Sequence, residues 1–140
     1  MKIAFLTSGG IAPCLSASIG ALIDAYNTLS PKAELVGYLH GYRGLLLGNS
    51  INIPEEVKKN TEVLYNFGGS PIGNSRVKFT NVESCIKSGY VKEGEVPLEI
   101  AANQLVKDGV NILHTIGGDD TNIIAAQLSF YLKEKNYDLT

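Results

Sequence analysis

Two adjacent carboxylates, Asp119 and Asp120, follow a pair of glycines at the end of an apolar run. One acid would suffice to cap the helix that the next residues predict, so the second carboxylate adds repulsion that needs another reason. A hard cation such as Mg²⁺, held by a carboxylate and by substrate phosphates, would supply that reason. We therefore favour a metal and phosphate site over simple helix capping for this pair.

A second glycine pair lies near the N-terminus, in the loop from Thr7 to Pro13. Glycine lets the backbone approach an oxyanion closely, and the N–H groups at a following helix start attract phosphate. A Gly-Gly pair after a strand can also make a plain tight turn, and this loop matches neither the dinucleotide fingerprint nor the Walker A pattern. From these residues alone, a turn and a phosphate cradle are equally good interpretations.

Three further side chains are of types that could serve in a binding or catalytic site. A forked guanidinium such as that of Arg76 suits phosphate, but from sequence alone an exposed surface arginine is the better interpretation. Tyr42 could stack on a base or cover the edge of the core. His114 lies inside an apolar run, which favours a packed structural histidine over a catalytic base.

The elements that must position these residues predict an α/β fold. Short apolar runs predict buried strands at residues 3–6, 33–39 and 111–116, and periodic apolar residues predict a helix after each glycine pair. The repeated order of strand, glycine loop and helix predicts a Rossmann-like parallel sheet with helices on both faces. In such a sheet ligands bind beyond the carboxyl ends of the strands, where both glycine loops would lie.

The remaining segments give weaker signals. Residues 41–44 and 68–80 are predicted as loops, and residues 45–53 have no clear assignment. Pro54 predicts a helix start and Gly68 its break, while Thr80 and Glu83 have the spacing of a capping box. Residues 97–109 predict a helix that begins at a proline and ends at a glycine.

Composition limits the classes of protein that this chain can belong to. Hydrophobic residues make up 44% of the 140 residues and charged residues 19%, which predicts one folded, soluble domain rather than disorder. The net charge of -2 gives no case for binding nucleic acid or an anionic membrane. No signal peptide or membrane-spanning run is visible, so we expect a cytoplasmic protein. Cys14 and Cys85 lack metal-ligand spacing and are expected to be free, buried thiols.

Four segments, in order, resemble the phosphofructokinase family and together cover nearly the whole chain. Residues 2–13 are similar to the family's L-T-S-G-G-x-A-P opening, and residues 37–45 to G-x-x-x-G-Y-x-G-L. Residues 68–76 are similar to G-G-T-x-L-G-S-S-R, and residues 115–121 to I-G-G-D-x-[ST]. Lipid and NAD kinases share a G-G-D-G-T loop, but they are not expected to share the opening segment or the loop that ends at Arg76.

The resemblance implies transfer of a phosphoryl group to the 1-hydroxyl of fructose 6-phosphate, with Mg²⁺. It implies catalytic roles for Asp119 and Asp120, with Asp119 as the magnesium-binding acid. The residues that it implies for donor-phosphate binding are Gly9, Gly10, Arg76, Gly118 and Thr121.

Asp120 indicates which donor is used. ATP-using members resemble G-G-D-G at this point, whereas a second acid is similar to members that use pyrophosphate. A carboxylate there would take up space and place negative charge where the α-phosphate of ATP must lie, while the shorter pyrophosphate could still fit. Departures from the family pattern at Ile11, Cys14 and Ser16 also weaken the case for ATP. An ATP-dependent phosphofructokinase and a non-catalytic module that binds phosphorylated metabolites remain the alternatives.

The resemblance also sets an expectation for the extent of the domain. The family's catalytic base lies in a T-I-D-N-D motif on the next strand, and the given sequence stops at Thr140. We therefore expect residues 1–140 to be a single, partial N-terminal donor-binding domain without the base motif or the substrate domain. Such a fragment should be inactive alone, and the full-length protein should be a homo-oligomer.

Overall fold

The computed structural model describes the whole chain, from Met1 to Thr140. The chain contains four strands and seven helices, and four of these helices follow one another between the third and fourth strands. The elements are β1 (Lys2–Thr7), α1 (Cys14–Leu29), β2 (Glu34–Tyr38), α2 (Tyr42–Leu47), β3 (Ser50–Asn52), α3 (Glu55–Lys59), α4 (Glu62–Tyr65), α5 (Val82–Lys87), α6 (Pro97–Asp108), β4 (Ile112–Ile116) and α7 (Asp119–Glu134).

The strands form one sheet in the order β3-β2-β1-β4, with β1 parallel to both of its neighbours. Helix α1, which leads from β1 to β2, packs on one face of the sheet, and α6, which leads into β4, packs on the other. The two neighbours of β1 are therefore reached over opposite faces, which makes the end of β1 a topological switch point. The predicted α/β class with helices on both faces is confirmed.

Two hydrophobic clusters flank the sheet, and β1 contributes to both. Ile3 and Phe5 pack with α1, whereas Ala4 and Leu6 pack with α2, α6 and α7. Successive side chains of a strand point to opposite faces, so a strand covered on both sides must be apolar throughout. This arrangement explains the unbroken apolar run at the start of the chain and fixes the strand that leads into the first glycine pair.

The three strands predicted from the sequence are parallel, but the sheet has a fourth strand, β3, in the stretch 45–53 that had no assignment. β3 lies antiparallel to β2, with Gly37 opposite Ile51. The predicted loop at residues 41–44 is instead the start of α2, because Tyr42, Leu45 and Leu46 recur at helical spacing and are all buried. Gly48 ends α2 in the left-handed region with φ 68°, and the chain then returns alongside β2.

Two helix predictions need correction in detail. The helix expected between Pro54 and Gly68 is divided into α3 and α4, because Asn60 has a non-helical φ of -138°. Helix α5 is capped by Asn81, whose side chain accepts a hydrogen bond from the Ser84 backbone N–H at 3.1 Å, and not by the predicted Thr80 and Glu83 box. The helix over residues 97–108 is confirmed, with Gly109 as its left-handed stop.

Strand β4 was expected to be buried, but all five of its residues are only partly buried. β1 covers one edge of β4, and on the other edge only the end of the chain pairs with it. There the Leu113 N–H donates to the Thr140 carbonyl at 2.8 Å, and the Thr140 N–H donates to the Asn111 carbonyl at 3.0 Å.

Both cysteines are free thiols, as predicted, but only one of them is buried. Cys14 is exposed because it is the first residue of α1 and lies outside the apolar face of that helix, whereas Cys85 is packed in the core. No helix of the fold is both long enough and apolar enough to cross a bilayer.

Candidate active site

The two glycine loops lie side by side at one edge of the sheet. We call residues Thr7 to Pro13 the first loop and residues Gly117 to Thr121 the second loop. They follow β1 and β4, where Thr7 is paired with Ile116, and the Ser8 N–H donates to the Ile116 carbonyl at 3.0 Å. A methyl group built on Gly9 would lie only 3.9 Å from the Gly118 nitrogen. The predicted meeting of the loops beyond the carboxyl ends of parallel strands is therefore present in the structure.

A polar cleft of about 310 Å³ opens between these loops. All seven residues that the family resemblance implies for the site line it, and only two of its eleven lining residues are hydrophobic. The lining residues are Ser8, Gly9, Gly10, Arg76, Val77, Lys78, Gly118, Asp119, Asp120, Thr121 and Ile124.

A third segment, residues 68–80, brings Arg76 to the cleft, and we call it the bridging segment. It is tied to the first loop by hydrogen bonds from the Gly9 N–H to the Ser75 carbonyl at 2.9 Å and from the Ser8 hydroxyl to the same carbonyl at 3.0 Å. A methyl group built on Gly10 would lie 3.6 Å from Arg76 Nη2. Arg76 has no ion-pair partner within the chain, so its exposed guanidinium is available to an anion in the cleft.

The second loop runs into α7 without a gap. A side-chain carbon at Gly117 would collide with the Ser8 carbonyl oxygen and would lie 2.5 Å from Thr121 Oγ1, so only glycine fits there. Asn122 is the first residue of α7 whose N–H has a helical hydrogen bond, which it donates to the Gly118 carbonyl at 3.1 Å. The preceding N–H groups and the positive end of the helix dipole therefore remain available to an anion beside the loop.

The two acids of the second loop have different surroundings. Asp120 Oδ2 lies 2.8 Å from Lys78 Nζ, and both side chains are more than half exposed, at 66% and 57%. Asp119 has no ion-pair or hydrogen-bond partner. Lys78 was not predicted as a site residue, although its position two residues after Arg76 in the same polar loop was a usable signal.

These acids fit a magnesium ion that is shared with a ligand. No cluster of three or more His, Cys, Asp or Glu side chains is present, so the chain does not form an all-protein metal cage. Mg²⁺ commonly takes one or two carboxylates and completes its shell with phosphate oxygens and water. Asp119, the carboxylate without a partner, is the residue that would hold such an ion.

Tyr42 supports the second loop from inside the core. It is fully buried, packs edge-on against Phe79 at 5.2 Å between ring centroids, and donates its hydroxyl to the Thr121 carbonyl at 2.8 Å. Burial raises the pKa of the Tyr42 phenol far above its ordinary value, so the group stays a neutral donor. Of the two interpretations left open by the sequence, the core position is correct and base stacking is excluded.

His114 is a packed residue, as predicted, and does not line the cleft. Its ring stacks on Phe5 at 5.7 Å between centroids, and its Nε2 lies 2.7 Å from the Tyr26 hydroxyl. Burial lowers the pKa of the His114 imidazole. This side chain therefore belongs to the cluster on the α1 face and helps to hold β4, the strand that leads into the second loop.

The chain matches known proteins in both sequence and structure. The family model of phosphofructokinase matches residues 2–135. The chain is 59% identical over 139 residues to a pyrophosphate–fructose 6-phosphate 1-phosphotransferase of Methylomonas methanica, covering 99% of this chain and 34% of that protein. It is 53% identical over 137 residues to the protein of the same name from Mastigamoeba balamuthi, covering 98% of this chain and 33% of that protein.

The fold is also that of solved relatives. The chain superimposes with a TM-score of 0.80 on the crystal structure of a pyrophosphate-dependent phosphofructokinase from Marinobacter aquaeolei, at 17% identity, covering 99% of this chain and 31% of that one. The chain spans about a third of the length of the curated relatives that it matches. The family model covers residues 2–135, and the motifs that resemble the family form the cleft between the two loops. This chain therefore belongs to the phosphofructokinase family.

Proposed function

We propose that the protein carrying this chain transfers a phosphoryl group from pyrophosphate to the 1-hydroxyl of fructose 6-phosphate. The observation that carries this proposal is the pair Asp119 and Asp120 at the start of α7, together with the relatives that bear pyrophosphate in their names. The product would be fructose 1,6-bisphosphate, in a reversible step of glycolysis. Residues 1–140 would supply the donor-binding part, and the catalytic base and most contacts to fructose 6-phosphate would lie outside them.

The cleft has the charge pattern that a diphosphate requires. Arg76 and the free N–H groups at the start of α7 would bind the phosphate oxygens, because guanidinium and helix N-termini both favour oxyanions. Gly9, Gly10 and Gly118 carry no side chains that could keep the phosphates away from the backbone. Thr121 is 2% exposed and lies between the loops, where its hydroxyl faces Gly9 and Gly117.

Asp119 would hold Mg²⁺ against the donor. When bound, Mg²⁺ would supply positive charge to offset the negative charge that develops during transfer. The residues of this chain act mainly by position, since in-line phosphoryl transfer needs the donor held at the correct distance and angle. We propose that Asp119 is the metal ligand and that both acids act in catalysis.

Asp120 would select the donor by the space that it occupies. Lys78 lies within ion-pair distance of Asp120 and offsets its charge. We therefore expect Asp120 to repel the α-phosphate of ATP less strongly than an unpaired carboxylate would. The ion pair would still fill the place that a third phosphate needs. A diphosphate could then remain between Arg76 and the start of α7, whereas ATP would displace the pair.

Partners, assembly and location of the protein belong to the same proposal. We propose that the substrates are pyrophosphate and fructose 6-phosphate, with no nucleic acid or membrane partner. The whole protein would act as a homo-oligomer, and it would work in the cytoplasm, where glycolytic substrates are found. Residues 1–140 alone should bind magnesium pyrophosphate without turning it over.

The test compares the two donors in the whole protein. Formation of fructose 1,6-bisphosphate is measured with Mg²⁺ and either pyrophosphate or ATP, for the wild type and for Asp120→Gly. We expect turnover with pyrophosphate alone in the wild type, and a rise of about tenfold or more in the ATP to pyrophosphate ratio of kcat/KM in the variant. Asp138→Gly, an exposed acid outside the cleft, is the matched control and should leave the ratio unchanged.

Other outcomes would point to the alternatives. Turnover with ATP in the wild type would keep the family and reject the role of Asp120 in donor choice. A whole protein that is silent with both donors would favour a non-catalytic module that binds phosphorylated metabolites.

A further inference from the structure

Gly9 has both of its backbone polar groups held by the bridging segment. Its N–H donates to the Ser75 carbonyl at 2.9 Å, and its carbonyl accepts a hydrogen bond from the Asn74 side-chain amide at 2.7 Å. Gly9 itself has φ 88°, in the left-handed region that side chains disfavour. Because Gly9 has no side chain to pack, its hydrogen bonds with Asn74 and Ser75 set the direction of its peptide groups.

The orientation of the Gly9 carbonyl also determines that of the next N–H. In a trans peptide the C=O of Gly9 and the N–H of Gly10 point in opposite directions. The structure contains no cis peptide bond, and the Gly10 N–H has no acceptor anywhere in the chain. Gly10 is exposed and lines the cleft beside Arg76. The Gly10 N–H is therefore available to an anionic ligand only while the Gly9 oxygen stays turned toward Asn74.

We infer that Asn74 is a positioning residue that keeps the Gly10 N–H presented to the donor phosphates. This inference rests on the proposed function of the cleft as a donor-phosphate site. Between two glycines the peptide plane can turn over with little steric opposition, which would replace the N–H donor by a carbonyl oxygen. An oxygen facing the cleft would repel phosphate, so a hydrogen bond from outside the first loop is needed to favour the binding orientation.

Other polar contacts in this region cannot take over this role. The Thr7 and Ser70 hydroxyls hydrogen-bond to each other, and the Thr7 hydroxyl is also within hydrogen-bond distance of the Gly73 carbonyl. The Ser75 hydroxyl donates to the His40 carbonyl at 2.7 Å. None of these side chains reaches the Gly9 oxygen. Asn74 is the one side chain that donates to it, and a neutral amide does so without adding charge to the phosphate site.

The experiment measures donor binding directly and then steady-state kinetics in the whole protein. Calorimetric titration with magnesium pyrophosphate, and separately with magnesium ATP, is carried out for the wild type, Asn74→Ala and Asn74→Leu. The leucine side chain has the same number and branching of heavy atoms as asparagine, without a donor and without leaving a cavity, so a loss shared by both variants does not come from a cavity. We expect the affinity for whichever donor the wild type binds to fall by about five- to tenfold in both variants.

Kinetics separates positioning from a general loss of structure. The KM for the phosphoryl donor should rise by about five- to tenfold, while the KM for fructose 6-phosphate stays within about twofold of the wild type. Asn81→Ala, which removes the cap of α5 outside the cleft, controls for destabilisation and should leave donor affinity unchanged although it lowers the melting temperature.

The outcomes distinguish this inference from the proposed function. Weaker binding in both Asn74 variants supports it whichever donor the protein uses, because the Gly10 N–H would face either one. Unchanged donor affinity in Asn74→Ala and Asn74→Leu overturns it even if turnover with pyrophosphate is found. A wild type that binds neither donor overturns both.

Discussion

The two glycine loops meet in one cleft, but different forces hold them. The second loop is fixed by close packing, since Gly117 leaves no room for a side-chain carbon and Tyr42 supports the Thr121 carbonyl from the core. The first loop is fixed by hydrogen bonds from the bridging segment, with Gly9 bound on both of its polar groups. The second loop should therefore be most sensitive to added volume, and the first to changes in backbone conformation and in polar partners.

This difference follows from the positions of the loops along the chain. The second loop is the direct link between β4 and a 16-residue helix, so both of its ends are held by regular structure. The first loop is longer, and a segment about 65 residues away in sequence must hold it, as the Asn74 to Gly9 hydrogen bond shows. A loop held in this way can lose its shape without unfolding of either neighbouring element.

The strongest test of the packing in the second loop is Gly117→Ala. The new methyl group would collide with the Ser8 carbonyl oxygen and with Thr121, so we expect the free energy of unfolding to fall by about 3 kcal/mol. Chemical denaturation measures this change. Gly118→Ala is the matched control, because its methyl group would meet no atom within 4 Å, and it should cost less than about 1 kcal/mol. Equal losses in the two variants would show that the second loop can relax around added volume.

A smaller effect is expected for Gly9→Ala in the first loop. There is room for the methyl group, with the nearest atom at 3.7 Å, but φ 88° would be strained for alanine. We expect a loss of about 1–2 kcal/mol in the free energy of unfolding, caused by conformation rather than by collision. Gly10→Ala provides the comparison, since its φ is not positive and its methyl group would make ordinary contact with Arg76.

Thermal or chemical unfolding of both first-loop variants is the measurement. The change in Gly10→Ala should stay within about 0.5 kcal/mol. A loss in Gly10→Ala as large as that in Gly9→Ala would mean that crowding, and not backbone conformation, limits the first loop.

The smallest effect is expected for the ion pair that joins the bridging segment to the second loop. Lys78→Met, Asp120→Asn and the double variant form a mutant cycle on the free energy of unfolding. Because both side chains are more than half exposed, the coupling energy should be about 0.2–1 kcal/mol at low salt and should approach zero at about 1 M salt. A coupling that resists salt would indicate a pair more strongly desolvated than the observed exposure implies.

Most of the candidate site could be predicted from the sequence, because its glycines and acids follow apolar runs directly. Parallel strands place their carboxyl ends at one edge, so Gly9, Gly10 and the 118–121 stretch had to lie near one another once the α/β order was recognised. Arg76 was predicted only through the resemblance to the family. Lys78 and Asn74 were not assigned roles, because their partners lie 42 and 65 positions away in sequence and no local pattern indicates such contacts.

The errors in the fold share one physical cause. Short elements such as α2 and β3 carry little periodic signal, and their conformation depends on what buries them. Tyr42 is helical because the second loop and the core surround it, and β3 is antiparallel because α2 returns the chain beside β2. The capping of α5 by Asn81 and the partial burial of β4 were likewise matters of context.

The sequence by itself determined the α/β class, the three parallel strands, the long helices and the glycines and acids at the cleft. These features depend on local periodicity and on glycines and acids that directly follow apolar runs in the sequence. Only the tertiary structure decided how the first loop is held, which lysine faces Asp120 and which way the Gly9 peptide points. Those features depend on contacts between residues far apart in sequence, whose free energies are gained only when the chain is folded.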